Sequence, residues 1–189
     1  MDLTSNWLGM SLKNPFVPSA SPLSRSLDSA KRLEDAGAAA IVMYSLFEEA
    51  VRAEEESMTR FLHHQDNGNA EASNYLPSHQ DFPGELDRYL EQVASLKATL
   101  EVPIIASLNG VTAGGWIKHA TEIADAGADA LELNTYYIAG DIDEEGREVE
   151  QRYIEVLKQL GEQISIPINM KLSPFFSSIG NMVKLSLIH

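Results

Sequence analysis

The stretches "DAGAAAIVMYS" (35–45) and "DAGADALELNT" (125–135) decide the fold. Both begin Asp-Ala-Gly-Ala, and in both that phrase separates a helical periodicity from an apolar run. Gly37 and Gly127 suit the left-handed stop just past a helix C-terminus. The runs that follow, 39–45 and 129–135, read as strands. Upstream, Leu27, Ala30 and Leu33 give 26–36 a helical spacing, preceded by a short strand "FVPSAS" (16–21). Between the two phrases, Leu86, Leu90, Val93 and Leu96 predict a helix over 83–100, and "VPIIASLNG" (102–110) a strand. Thr112 is placed to cap the next helix, with Trp116, Ile117, Ala120 and Ala124 inward. Further on, Val149, Tyr153, Val156, Leu157, Leu160 and Ile164 predict a helix, "IPINMKLS" (166–173) a fifth strand, and "SSIGNMVK" a fifth helix capped by Ser177. Strand-helix alternation implies parallel strands with right-handed crossovers. Runs such as "AAIVM" fit strands covered on both faces.

Two architectures satisfy this pattern, a doubly wound open sheet and a (β/α)8 barrel. A dinucleotide-binding sheet places G-x-G-x-x-G after its first strand. Here that turn is "SASPLSRS" (19–26), without glycine. The expected fold class is therefore α/β, a TIM (β/α)8 barrel of which about the first five β/α units are present. "NWLGMSLKN" (6–14) adds an N-terminal β-hairpin around Gly9. The chain reads as a single domain, 1–189, with one long β-to-α connection at 46–82. The acidic first half of that connection ("EEAVRAEEES") reads as a solvated helix. A long connection on that face of a barrel is also placed to act as a lid.

Alternation assigns the strand faces. Ile104, Ala106 and Leu108 oppose Ser107 and Asn109; Leu131 and Leu133 oppose Glu132 and Asn134; Ile168, Met170 and Leu172 oppose Asn169, Lys171 and Ser173. The apolar faces should meet helices, so the polar faces point inward. Burying an unpaired amide or ammonium costs several kcal/mol. Polar groups on three neighbouring strands, near the ends where barrel enzymes bind substrates, point to a ligand site. The bland alternative is a self-satisfied polar layer with Glu132 paired to Lys171.

Composition narrows the partners. The chain has 189 residues, is 44% hydrophobic and 22% charged, and carries a formal net charge of −14. Such a surface repels nucleic-acid backbones and anionic lipid. No run of 18 apolar residues and no secretion signal is present, and there is no cysteine. A cytoplasmic location is expected, with a small-molecule substrate, no nucleic acid, no membrane, and a homodimer allowed. His63, His64, His79, His119 and His189 show no paired metal spacing, so no metal is expected. "NGVTAGG" lacks the lysine of a nucleotide loop. Trp7 and Trp116 read as core.

The strings "NPFVPSAS", "IASLNG", "LELN" and "MKLSP", in this order on successive strands, resemble the dihydroorotate dehydrogenase family, from Trp7 to about Met182. The resemblance implies an FMN-dependent oxidoreductase acting on CH–CH groups. Hydride would pass between flavin and a C–C bond of a pyrimidine-like ring, which points to pyrimidine metabolism. It implies that Ala20, Ser21, Ser45, Ser107, Asn134 and Lys171 hold FMN, and that Asn74 (in "NYLP") and Asn134 hold substrate. Lys171 and Tyr137 are then the catalytic pair. Tyr137 stands where the family has a cysteine or serine base, and Tyr44 where it often has lysine. Family members continue for three more strands, so the alternative is an inactive truncated fragment of such a barrel, needing its missing C-terminal half or a partner. A third reading is a flavin-free aldolase barrel in which Lys171 forms a Schiff base.

Overall fold

The computed structural model describes residues 1–65, 84–110, 113–135 and 137–187. Strands β1 (Ser5–Trp7) and β2 (Met10–Leu12) pair antiparallel, Trp7 facing Met10 across a two-residue turn. Both turn residues have positive φ, Leu8 at 53° and Gly9 at 75°. This is the primed turn that matches strand twist, and only its second residue is a glycine. After a 3-10 turn (Pro22–Arg25), the elements alternate: α1 (Leu27–Asp35), β3 (Ile41–Phe47), α2 (Glu48–Gln65), α3 (Glu85–Thr99), β4 (Ile104–Asn109), α4 (Ala113–Asp125), β5 (Ala130–Asn134), α5 (Gly146–Gln163), β6 (Ile168–Lys171) and α6 (Ile179–Ser186). β3, β4, β5 and β6 form one parallel sheet in chain order.

The two repeated phrases end their helices in the same way. Gly37 N–H donates to Glu34 C=O and Ala38 N–H to Leu33 C=O; Gly127 donates to Ala124 and Ala128 to Ile123. With φ of 100° and 97°, both glycines sit at the left-handed position of a Schellman stop.

One face of the sheet carries the helices. Ile41, Met43, Ile104, Ala106, Leu108, Leu131 and Leu133 pack with Ala30 of α1, Val93 and Leu96 of α3, Ala120 and Ile123 of α4, and Leu160 of α5. The other face meets the hairpin instead. Val42, Ile105 and Ala130, at the starts of their strands, pack with Leu12, Trp7, Leu8 and Met10. Helices on one face only, and a hairpin plugging the strand starts, are the layers of a partial barrel and not of a doubly wound sheet.

The expected first strand, 16–21, is not a regular strand. Its carbonyls still serve β3 and the residues leading into it, with Ala39 N–H donating to Phe16 C=O and Val42 N–H to Pro18 C=O. Pro15 and Pro18 have no N–H to return, so the segment lies along the edge without completing a ladder. The first half of the long connection is helix α2, as read from the sequence. Thr112 lies outside the described residues. The last helix is capped one residue later than expected, at Ser178, without a side-chain bond.

β3 carries an irregularity that alternation alone does not show. Its register against β4 shifts between Val42 and Ser45. Two side chains serve the backbone there. Tyr44 N–H donates to Ser24 Oγ at 2.6 Å. The Tyr89 hydroxyl of α3 accepts from Ser107 N–H at 2.8 Å and donates to Ser107 C=O at 3.1 Å. Tyr89 is wholly buried and meets Tyr44 edge-on, centroids 5.0 Å apart. Tyr89→Phe keeps the ring and strands both Ser107 backbone groups, so a loss of about 2–3 kcal/mol is expected in denaturant unfolding. Burial also pushes the Tyr89 hydroxyl far above its ordinary pKa. The unfolded chain ionises near pH ~10 and the folded one does not. The stability that depends on a neutral Tyr89 is therefore complete below that pH and declines as pH rises beyond it. Tyr44 and Tyr153 are raised too, mainly by burial. The variant should thus flatten the alkaline decline without abolishing it.

Candidate active site

The register of the parallel ladders stacks the inward side chains into tiers. Ile105 pairs with Ala130, Ser107 with Glu132 and Asn109 with Asn134; Glu132 pairs with Asn169 and Asn134 with Lys171; Ser45 pairs with Ser107. The lowest tier, Val42, Ile105 and Ala130, is apolar and packs against the hairpin. The middle tier is Ser45, Ser107, Glu132 and Asn169. The upper tier, at the C-terminal ends of the strands, is Asn109, Asn134 and Lys171.

The middle tier is one hydrogen-bonded chain. Ser45 Oγ and Ser107 Oγ are 2.9 Å apart, Ser107 Oγ donates to Glu132 Oε1 at 3.3 Å, and Asn169 Nδ2 donates to Glu132 Oε2 at 3.3 Å. From the upper tier, Asn134 Nδ2 donates to Ser107 Oγ at 3.0 Å, and Lys171 Nζ lies 3.6 Å from Glu132 Oε1. Glu132 is buried, whereas the Lys171 side chain is 43% exposed. A buried carboxylate is costly unless hydrogen-bonded and paired, and Glu132 has both supports. The Glu132–Lys171 pair of the bland alternative is thus present. Lys171 keeps a partly exposed side chain beside it.

Not every polar atom is served. Asn109 Oδ1, Asn134 Oδ1, Thr135 Oγ1 and Trp116 Nε1 are buried without a hydrogen-bond partner. All four lie at or just beyond the C-terminal ends of β4 and β5. A cavity of about 400 Å³ lies on the hairpin side, bordered by Trp7, Leu12, Val17, Val42 and Glu132. Among the described residues, Glu132 is its one ionisable lining residue. Glu132 therefore stands between this cavity and Lys171.

The residues picked from the sequence do not all converge. Ser45, Ser107, Asn134 and Lys171 meet through the network just described. Ala20 packs against the apolar lowest tier. Ser21 opens the 3-10 turn, its carbonyl accepting from Ser24 Oγ at 3.0 Å. Tyr137 is 40% exposed. Its hydroxyl donates to Glu144 at 2.9 Å, the Arg152 guanidinium lies 4.4 Å from its ring centroid, and Arg152 pairs with Glu144 at 2.5 Å. Among the described residues, no hydrogen bond joins Tyr137 to Lys171 or Asn134. Asn74 lies outside the described residues. Glu132 and Asn169 were read from the sequence as inward-facing without a role in the site; the register makes them the centre of the network. Glu48, buried at the start of α2, carried no signal in a stretch that reads as solvated acid.

No family model matches the chain, and no curated protein does. Solved structures do. The dihydrodipicolinate synthase of Bacteroides thetaiotaomicron is similar over 95% of this chain and 53% of its own, at 11% identity and a TM-score of 0.55. The dihydrodipicolinate synthase DapA-2 of Bacillus anthracis is similar over 92% of this chain and 52% of its own, at 18% identity and a TM-score of 0.51. At these identities the likeness establishes the fold. The chain spans about half the length of the structures it matches.

This corrects the family expected from sequence. The solved structures named here as sharing the fold are dihydrodipicolinate synthases, and the dihydroorotate dehydrogenase reading is not upheld. With that family go FMN as cofactor, the oxidoreductase reaction on CH–CH groups and the place in pyrimidine metabolism. The physical reason is visible in the strings themselves. "IASLNG", "LELN" and "MKLSP" each encode a strand with apolar residues toward helices, polar residues inward, and a polar end. Any parallel barrel with a polar inner tier imposes that pattern, so their order records architecture and not a coenzyme.

Proposed function

We propose that Lys171 is a carbonyl-binding lysine, and that the chain supplies part of the active site of an aldolase-type lyase acting on a small 2-oxo acid. The observation that carries this reading is the partly exposed Lys171 side chain at the C-terminal end of β6, with a buried carboxylate 3.6 Å from its amine. The dihydrodipicolinate synthase fold supports it as an analogy.

The chemistry follows from the pair. Lys171 attacks the keto carbon as its free amine, and Glu132 beside it takes the proton that the attacking nitrogen sheds and returns it to the departing hydroxyl. The carbinolamine loses water and leaves an iminium, which draws electrons from an adjacent C–H or C–C bond. Glu132, held by Ser107 and Asn169, keeps its position through the cycle. A small-molecule substrate, a cytoplasmic setting and a homodimer belong to the same proposal.

The test is borohydride reduction in the presence of pyruvate, followed by peptide mass mapping. A reduced adduct confined to the Lys171 peptide is expected. Modification spread over surface lysines, or none at Lys171 in a chain folded by circular dichroism, rejects the reading.

A second reading rests on the half-length match. By it residues 1–189 are inactive by themselves and need the rest of a barrel, from a C-terminal half or from a partner. In that case trapping at Lys171 appears only in fractions that elute above monomer size.

A further inference from the structure

The unserved Asn134 oxygen has a cause that reaches down to the middle tier. Ser107 has one proton and three polar neighbours: Ser45 Oγ, Glu132 Oε1 and Asn134. Glu132 is acceptor-only when ionised, so an oxygen 3.3 Å away must donate to it. The Ser107 proton is thereby committed to Glu132. What remains on Ser107 is acceptor capacity, filled by the Ser45 hydroxyl and by Asn134. Asn134 must therefore present Nδ2 to Ser107 and turn Oδ1 the other way. The opposite amide orientation would set two lone pairs against each other. Side-chain amide orientation is assigned through such networks, and here the carboxylate determines it.

The consequence is chemical. Asn134 is 3% exposed, and its Oδ1 is a buried acceptor without a donor. Asn109, its register partner on β4, also has a buried unpaired Oδ1. Two acceptors side by side at the strand ends ask for N–H donors, since an unpaired buried acceptor costs about 1–3 kcal/mol. We propose that Glu132 and Ser107 are positioning residues that lock Asn134 as an acceptor, and that Asn134 and Asn109 together select a ligand presenting amide-type N–H groups. The selection does not depend on Lys171 forming a bond to a carbonyl.

The experiment is a nuclear magnetic resonance titration of the full chain, followed at the side-chain amide signals of Asn134 and Asn109. The probes are succinimide, which has an N–H, and N-methylsuccinimide, which has the same ring without one. Succinimide should shift both signals and bind about tenfold more tightly than the methylated probe, the worth of one hydrogen bond. In Ser107→Ala, Asn134 is released to either orientation, and the preference should fall toward unity while the backbone spectrum persists. Glu132→Gln gives the same reading if Ser107→Ala does not fold, because a carboxamide can accept or donate. Equal affinity for the two probes in the unmodified chain overturns the proposal, as does an unaltered preference in a folded variant. Loss of trapping at Lys171 leaves this result unaffected, so the two proposals fail separately.

Discussion

Gly110→Ala should destabilise the chain by about 3 kcal/mol, lowering its midpoint of thermal unfolding by about 6–12 °C. Gly110 follows β4 directly, and the Trp116 indole of α4 lies across it. A Cβ built at Gly110 would sit 1.1 Å from Trp116 Nε1 and 1.5 Å from its Cδ1. No rotamer adjustment of a few tenths of an ångström clears that overlap, so the indole must leave. Trp116 is 6% exposed and belongs to the main core with Leu108, Ala120 and Leu133. Expelling it removes a large apolar surface and opens the seam between α4 and the sheet. One term opposes this loss: Nε1 has no partner inside and would gain water. Thermal unfolding of three variants checks the account. Gly110→Ala should cost about 3 kcal/mol alone and close to nothing on a Trp116→Ala background, since neighbours that share one contact do not add. A cost below about 1 kcal/mol for the single variant would show that the indole does not depend on the bare backbone at Gly110.

Lys171→Arg should abolish the borohydride-trapped adduct while leaving the fold intact. Arginine keeps the positive charge that faces Glu132 across 3.6 Å in the parent chain. Its guanidinium does not lose its proton in a protein, so it cannot attack a carbonyl. The side chain it replaces is 43% exposed, so the change in stability should stay under about 1 kcal/mol. If the assembled protein turns over a 2-oxo acid, the rate should fall about 10³-fold or more, the usual scale for losing a covalent nucleophile. Mass mapping of the trapped peptide and denaturant unfolding separate the two effects. An adduct that persists in Lys171→Arg would place the reactive amine elsewhere. Lys171→Met is the harsher companion: it also removes a charge from Glu132, so a loss of stability confined to it would measure the pair itself.

The parts of the site legible in the sequence were those that obey a period. Glu132, Asn134, Asn169 and Lys171 alternate with leucines, isoleucine and methionine, and the inward face followed from that alone. The helix stops at Gly37 and Gly127 were legible for the same kind of reason, a local conformation with few residue choices. The β3 irregularity was not. It depends on Ser24 and Tyr89, distant in sequence, reaching the backbone of Tyr44 and Ser107. The partners of Tyr137 were not legible either, because spacing from Asn134 says nothing about the turn that follows a strand. Only the loop's course shows it stacked on Arg152 and bonded to Glu144. The family was misread because short strand-end strings carry the demands of the barrel.

Apart from the segment 16–21, which forms no regular strand, the order of the elements and the side chains that face inward were written in the chain itself, because each depends on residues within one or two turns of one another. Tertiary structure alone decided the tiers. Which inward groups share a proton depends on the register between strands, and register is a property of pairs. That is why Ser107 meets Glu132, why Asn134 is turned as an acceptor, and why one lysine remains accessible beside a buried carboxylate.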